Sequence, residues 1–170
     1  HFSGGEVPDD LFLVGGDVLQ APCLVEGQGR TVKLPGKARW FDARTGEWVK
    51  GTQKVESHPD ETPLYFRSGA IVPSLVGERT TNEKDLSSIE AHLFVEPGRH
   101  TEGRYVFDDG LTTAYQEGAE SEVQISASLS VNGTLRVDAR QVREGAGKST
   151  VTGVAYGNIK RVLVNGRAVR

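Results

Sequence analysis

The sequence predicts an all-β fold, two small antiparallel β-sandwich domains in tandem. Three observations carry this. Short runs of Val, Ile, Leu, Phe, Tyr and Trp recur about every 8 to 12 residues with Gly, Pro or Asp between them, the spacing of a sandwich. No window holds an apolar stripe at helical spacing long enough to compete. One mostly polar stretch, 76–88, interrupts the rhythm, so the expected organisation is a connector (1–10), a proximal sandwich (11–75), a linker (76–88) and a distal sandwich (89–170). Twenty-one glycines and seven prolines in 170 residues supply turns, and a hydrophobic share of 36% is enough for two small cores.

The elements follow in order. Residues 1–10 are polar and glycine-bearing and read as a connector. Leu11 to Val14 form the first strand, Gly15-Gly16-Asp17 turns the chain into Val18 to Leu24, and Gly27-Gln28-Gly29 turns it again into Thr31 to Pro35. Arg39 to Asp42 and Glu47 to Val49 flank Arg44-Thr45-Gly46 as a short strand pair, followed by Thr52 to Glu56. Pro63 to Pro73 then carries two apolar runs hinged on Ser68-Gly69 and fenced by proline, which lacks an amide donor and belongs at a strand end or sheet edge. Alternation places Leu64 and Phe66 on one face and Tyr65 and Arg67 on the other. The first core is expected to hold Leu34, Trp40, Leu64, Phe66 and Ile71.

In the distal half, Ala91 to Glu96, Arg104 to Asp108 and Ala114-Tyr115 bracket the turn signal Asp108-Asp109-Gly110. Val123, Ile125, Ala127, Leu129 and Val131 alternate with Gln124, Ser126, Ser128 and Ser130, a strand with one buried and one wet face. A two-residue turn at Asn132-Gly133 would set apolar residues against polar ones, so a three-residue loop or adjacent bulge is expected, pairing Leu129 with Val137 and Val131 with Leu135. Ile125, Leu129, Val131, Leu135 and Val137 are the expected second core. Val151 to Tyr156 and Arg161 to Val164 follow, and Asn165-Gly166 closes a last hairpin.

Composition narrows the function. Twenty basic against 23 acidic residues give a net charge of -3, which offers no electrostatic pull toward nucleic acid or an anionic membrane. No apolar run approaches the roughly 20 residues of a spanning helix. Cys23 is the one cysteine, so no internal disulfide forms, and an inert thiol is a better reading than a nucleophile because no His or acid lies close in sequence. The chain begins with histidine and holds no methionine, which reads as a fragment of a longer protein.

Signatures of phosphate loops, Cys-x-x-Cys, His-Glu-x-x-His and Gly-x-Ser-x-Gly are absent from the sequence. His1, His58, His92 and His100 are scattered, and surface or turn placement is preferred to a metal site. Asp108 and Asp109 are the tempting carboxylates, since glycoside hydrolysis uses two acids roughly 5 to 10 Å apart. As strand neighbours they point to opposite faces, and turn capping is the preferred role; the acids also lack the alternating spacing of a calcium loop. Trp40, Trp48, Tyr65, Tyr105, Tyr115 and Tyr156 would stack on sugar rings if exposed, but core placement is the commoner use. Asn132-Gly133-Thr134 fits the glycosylation sequon, which matters only in a secreted chain. The residues thus assign no catalytic, cofactor-binding or metal site.

Leu11 to Gly15, Asp17 to Pro22, Val32 to Pro35, Trp40-Phe41-Asp42 with Thr45-Gly46, and Pro63 to Pro73 resemble, in order and spacing, the region just after the catalytic barrel of glycoside hydrolase family 31. Tyr105 to Gly110 with Tyr115 and Gly118 is similar to the turn of that family's distal sandwich, and Val164-Asn165-Gly166 to its closing hairpin. The resemblance implies a parent that is a retaining exo-α-glycosidase of α-glucosidase, α-xylosidase or glucosidase II type, without a cofactor, acting on an α-linked glucoside or xyloside. The family's catalytic aspartates lie on the (β/α)8 barrel upstream, so none carries over to a position here. The barrel is the implied partner, with no nucleic acid and no membrane. Two other readings stay open: a free-standing carbohydrate-binding module with an aromatic face, and a protein-interaction module.

Overall fold

The structure, a computed structural model of the chain, describes residues 10–25, 27–56, 61–76 and 86–169. The expected connector 1–10, apart from Asp10, and most of the expected linker 76–88 lie outside the described residues. The chain is all-β and divides into two compact units, His1–Ser68 and Gly69–Arg170, so the division falls ahead of the polar stretch.

The first unit holds β1 (Phe12–Val14), β2 (Val18–Gln20), β3 (Arg30–Lys33), β4 (Trp40–Asp42), β5 (Glu47–Val49), β6 (Thr52–Val55) and β7 (Leu64–Arg67). Five of them form an antiparallel sheet in the order β1-β2-β7-β4-β5, and β3 pairs with β6 in a second. Leu19, Trp40 and Tyr65 from the large sheet pack with Val32 and Val55 from the small one, and Leu11, Ala21 and Leu34 complete this core. Trp40 and Leu34 are therefore buried as expected.

The expected facing of β7 is reversed: Tyr65 is 1% exposed in the core, while Leu64 and Phe66 are half-buried on the opposite side of the sheet. The reason is register. Tyr65 sits beside Leu19 of β2 and Asp42 of β4, and the pleat sends all three to one side. Because β7 is central and apolar on both faces, its own sequence does not say which face is inward. Asp42, 7% exposed, accepts from the amides of Arg44 (2.9 Å) and Thr45 (3.4 Å), which closes the β4-β5 turn.

The second unit holds β8 (Ile71–Leu75), β9 (Ser88–Phe94), β10 (His100–Phe107), β11 (Ser121–Leu129), β12 (Thr134–Glu144), β13 (Thr150–Tyr156), β14 (Arg161–Val164) and β15 (Arg167–Val169). One sheet runs β10-β11-β12-β14-β15 and the other β13-β9-β8. Antiparallel pairing dominates, but β12 runs parallel to β14 and β13 parallel to β9, because β13 leaves one sheet for the other between them. Ile89, Ala91, Leu93 and Val95 meet Val123, Ile125, Ala127, Leu129 and Leu135 in the core, with Val137 packed at its side.

Three expectations change here. Ile71 belongs to this second core, since β8 pairs with β9 rather than with the first unit's strands. Pro73 within β8 is tolerated because β8 is an edge strand. Gly69 supplies the kink at φ 86°, a conformation strained for any residue with a side chain, and an added Cβ would lie 2.5 Å from Nε of Arg99. At the β11-β12 turn, three residues separate the bonded pair Ser130 and Thr134, the expected loop length, but Leu129 pairs with Leu135 and Val131 is left 89% exposed at the tip. The bulge lies at the other end, between Glu122 and Val123. Ala114-Tyr115 is not strand but the start of a 3₁₀ turn, Ala114–Glu117, capped by Gly118 at φ 85°. At the closing hairpin Val164 faces Arg167 and both Asn165 (φ 48°) and Gly166 (φ 77°) are left-handed, the two-residue turn the sequence predicts.

Candidate functional site: an apolar sheet face

The carboxylates that invite a catalytic reading are spent on their own loop. Asp108 accepts from the Gly110 amide at 2.7 Å. Asp109 accepts from the amides of Leu111 and Thr112, each at 3.0 Å, and from the Thr112 hydroxyl at 2.7 Å. Both lie beyond the end of β10, so the strand geometry that would point them to opposite faces does not apply, while the expected turn-capping role does. These amides hold the Asp109 carboxyl well below the ordinary range, at about 2. A carboxyl that stays ionised to such low pH is no general acid. A small cleft of about 200 Å³ places Asp108 with Glu120, Tyr105 and Tyr115. Glu120 is engaged by Arg143, so this pair offers neither a free acid nor a free nucleophile.

His92 makes the one catalytic-looking contact set among the described residues. Its Nε2 lies 3.1 Å from Ser74 Oγ and its Nδ1 3.0 Å from the Tyr156 hydroxyl. Glu90 Oε1 lies 3.4 Å from the same Nε2, and the Ser74 hydroxyl also reaches the Glu90 carbonyl oxygen at 3.4 Å. Nδ1 meets a tyrosine hydroxyl rather than a carboxylate, so no acid orients the ring as a base toward the serine, and the set is a polar brace across β8, β9 and β13. His100 pairs with Glu102 at 2.9 Å; His1 and His58 lie outside the described residues. Among the described residues, no three His, Cys, Asp or Glu side chains gather where an ion could bind.

The feature that stands out is the large sheet's face opposite the first core. One rung crosses all five strands as Val14, Val18, Phe66, Phe41 and Trp48, every member apolar. The next rung carries Phe12, Gln20 and Leu64. Phe12 is 50% and Val14 61% exposed, and the others of the apolar rung are half-buried. Leu24 and Val25, just past β2, add further exposed apolar surface. Phe41 and Trp48 meet edge to face at 5.6 Å, and the Arg39 guanidinium lies 5.5 Å from the Trp48 ring. The sequence reading puts Phe66 and Trp48 in the core and misses the outward face they share with Phe41. The available signal is the consecutive apolar run Leu64-Tyr65-Phe66, which marks a strand with work on both faces.

Comparison with known proteins gives this face a context. The profile of the Glycosyl hydrolase family 31 C-terminal domain matches residues 5–72, the stretch that builds the large sheet. The chain belongs to glycosyl hydrolase family 31, as a C-terminal β-sandwich region. Among the similar sequences, a probable glucan 1,3-alpha-glucosidase of Oryza sativa subsp. japonica is 32% identical over 126 residues, covering 67% of this chain and 14% of that protein. An alpha-xylosidase of Saccharolobus solfataricus is 31% identical over 113 residues, covering 65% of this chain and 15% of that protein. The chain therefore spans about a seventh of the length of these relatives. In structure, the Flavobacterium johnsoniae GH31 dextranase superposes over 95% of the chain and 21% of its own, with TM-score 0.77 at 21% identity, a likeness of fold.

Proposed function

We propose that this chain is the non-catalytic support of a retaining exo-α-glycosidase, and that the apolar rung Val14-Val18-Phe66-Phe41-Trp48 seats the catalytic (β/α)8 barrel of the same protein. The single observation that carries the reading is that rung: a sheet of a small sandwich gains nothing from a second apolar face unless something covers it. Chemistry then resides on the barrel, which supplies both carboxyls of the retaining mechanism, and the substrate is an α-linked glucoside or xyloside. No cofactor takes part.

The test has two arms. Purified chain, assayed against aryl α-glucosides and α-xylosides, gives no turnover; turnover that survives Asp108→Asn with Asp109→Asn would mean an unrecognised site. In light scattering the isolated chain self-associates, and Val14→Lys with Phe66→Ser makes it monomeric while abolishing capture of the co-expressed barrel portion. Unchanged capture by that variant would place the contact elsewhere.

A further inference from the structure

The second unit carries a cleft of about 530 Å³ on the solvent face of β10, β11 and β12, within the size range of small-molecule sites. Its shape follows from side-chain length. The middle strand presents Ser126 as a low floor, while the flanking strands raise longer walls, Glu102 and Arg104 on β10 and Asp138 and Arg140 on β12. Register sorts these groups into two rungs: Glu102-Ser126-Asp138, and Arg104-Gln124-Arg140. One rung ends in an acceptor on each side and the next in a donor fork on each side, about 7 Å further along the strands.

Opposite charges this close could have paired with each other. Among the described residues they do not: Arg104, Asp138 and Arg140 make no ion pair or side-chain hydrogen bond there, and Glu102 engages only His100. Hydrogen-bonding capacity is thus left unspent along the cleft. The two carboxylates and two guanidiniums cancel, so neither a polyanion nor a polycation gains net attraction. The lining holds no aromatic ring and, among its side chains, only Ile125, which faces the core, is apolar, so a lipid or flat apolar ligand has nothing to bury. What remains is a neutral ligand dense in groups that both donate and accept.

We propose that the trough over β10, β11 and β12 binds a neutral, hydroxyl-rich oligosaccharide, with Glu102 and Asp138 accepting from hydroxyls on one rung and Arg104 and Arg140 donating to them on the next. The ligand class rests on the trough alone; the choice of an α-linked glucan rests on the proposed function. A carbohydrate site in this position would hold the parent on its polymer while the barrel works at a chain end.

The experiment titrates the full chain with maltotriose, isomaltotriose, cellotriose and inorganic sulfate, following backbone amide shifts by NMR. An α-linked trisaccharide is expected to shift amides confined to β10, β11 and β12, saturating on the order of millimolar, as for a shallow wet site. Ser126→Lys, which fills the floor, and Asp138→Ala, which removes an acceptor, each weaken binding by about tenfold or more; both substitute solvent-facing residues, and the unshifted amides of β9 and β13 report that the fold persists. Shifts with cellotriose alone would keep the site and sink its link to an α-glycosidase. Sulfate shifting the same amides, shifts mapping elsewhere, or full-strength binding by both variants would overturn the proposal.

Discussion

Tyr65 and Asp109 show how single side chains register their surroundings. Burial, aided by the nearby Asp42 carboxylate, pushes the Tyr65 phenol from 10.0 up to about 12. Between those values the unfolded chain has lost the phenolic proton and the folded chain keeps it, so stability falls as pH rises from 10 to 12. Tyr65→Phe has no phenol to ionise, and its denaturant midpoint is expected to lose less than the native chain's over that window. Asp109 works in the opposite sense. Its carboxyl is held from 3.8 down to about 2, first by the Thr112 amide, so its contribution is present above 3.8 and is lost as pH falls toward 2. The protection of the Leu111 and Thr112 amides, exchange rate taken relative to the intrinsic rate at each pH, is expected to fall through that window in the native chain and to be low throughout in Asp109→Ala. Truncation separates the two faces of β7 and β4. Trp40→Ala empties a site 1% exposed and is expected to cost about 3 to 5 kcal/mol, whereas Phe66→Ala, half-buried on the outer face, costs under about 2 kcal/mol in the isolated chain. Equal denaturant midpoints for the two variants would mean that β7 is facing the other way.

At the scale of elements, the last hairpin is held by more than its turn type. Asn165 takes the left-handed φ of 48°, donates its amide to Val137 at 2.9 Å and accepts from the Ala139 amide through its side chain at 3.0 Å. The β14-β15 hairpin is thereby tied to β12. Asn165→Gly keeps the conformation and loses the side-chain bond, while Asn165→Ala loses both, so the second is expected to destabilise by about 1 kcal/mol more than the first. Thermal midpoints of the two variants decide it; the reverse order would mean that backbone strain plays no part. The β11-β12 turn shows what such motifs do not fix. Asn132-Gly133 marks the turn, with Gly133 at φ 85°, but the Ser130 hydroxyl, accepting from the Thr134 amide at 3.0 Å, pins the register that leaves Val131 outside.

For the whole molecule, the position of β8 decides where the chain can be cut. A piece beginning at 69 keeps β8 on the edge of β9 and Ile71 on the second core, whereas a piece beginning at 76 loses both. We therefore expect residues 69–170 to express as a soluble, cooperatively unfolding unit and residues 76–170 to aggregate, read by yield and by sharpness of the thermal transition. Comparable behaviour of the two pieces would favour the boundary at the polar stretch. The first unit, with its apolar rung bare, is the half expected to need a partner.

The sequence by itself determined the all-β class, most of the strands in their succession along the chain, the turns at Arg44-Thr45-Gly46, Ser68-Gly69, Asp108-Asp109-Gly110 and Asn165-Gly166, and the resemblance to family 31, because these depend on local backbone chemistry and on motif spacing along the chain. It also located the alternating strand whose inward residues Ile125 and Leu129 fill the second core. Only the tertiary structure decided which face of β7 is inward, to which core Ile71 belongs, and that Phe41, Phe66 and Trp48 join Val14 and Val18 in one exposed-to-half-buried rung. Those are questions of cross-strand register and of sheet partners far apart in sequence: Val14 and Phe66 share a rung through Val18, and no local pattern states it. The trough over β10, β11 and β12 has the same origin, since charges that look like a solvated face along each strand become two sorted rungs only when three strands are laid side by side.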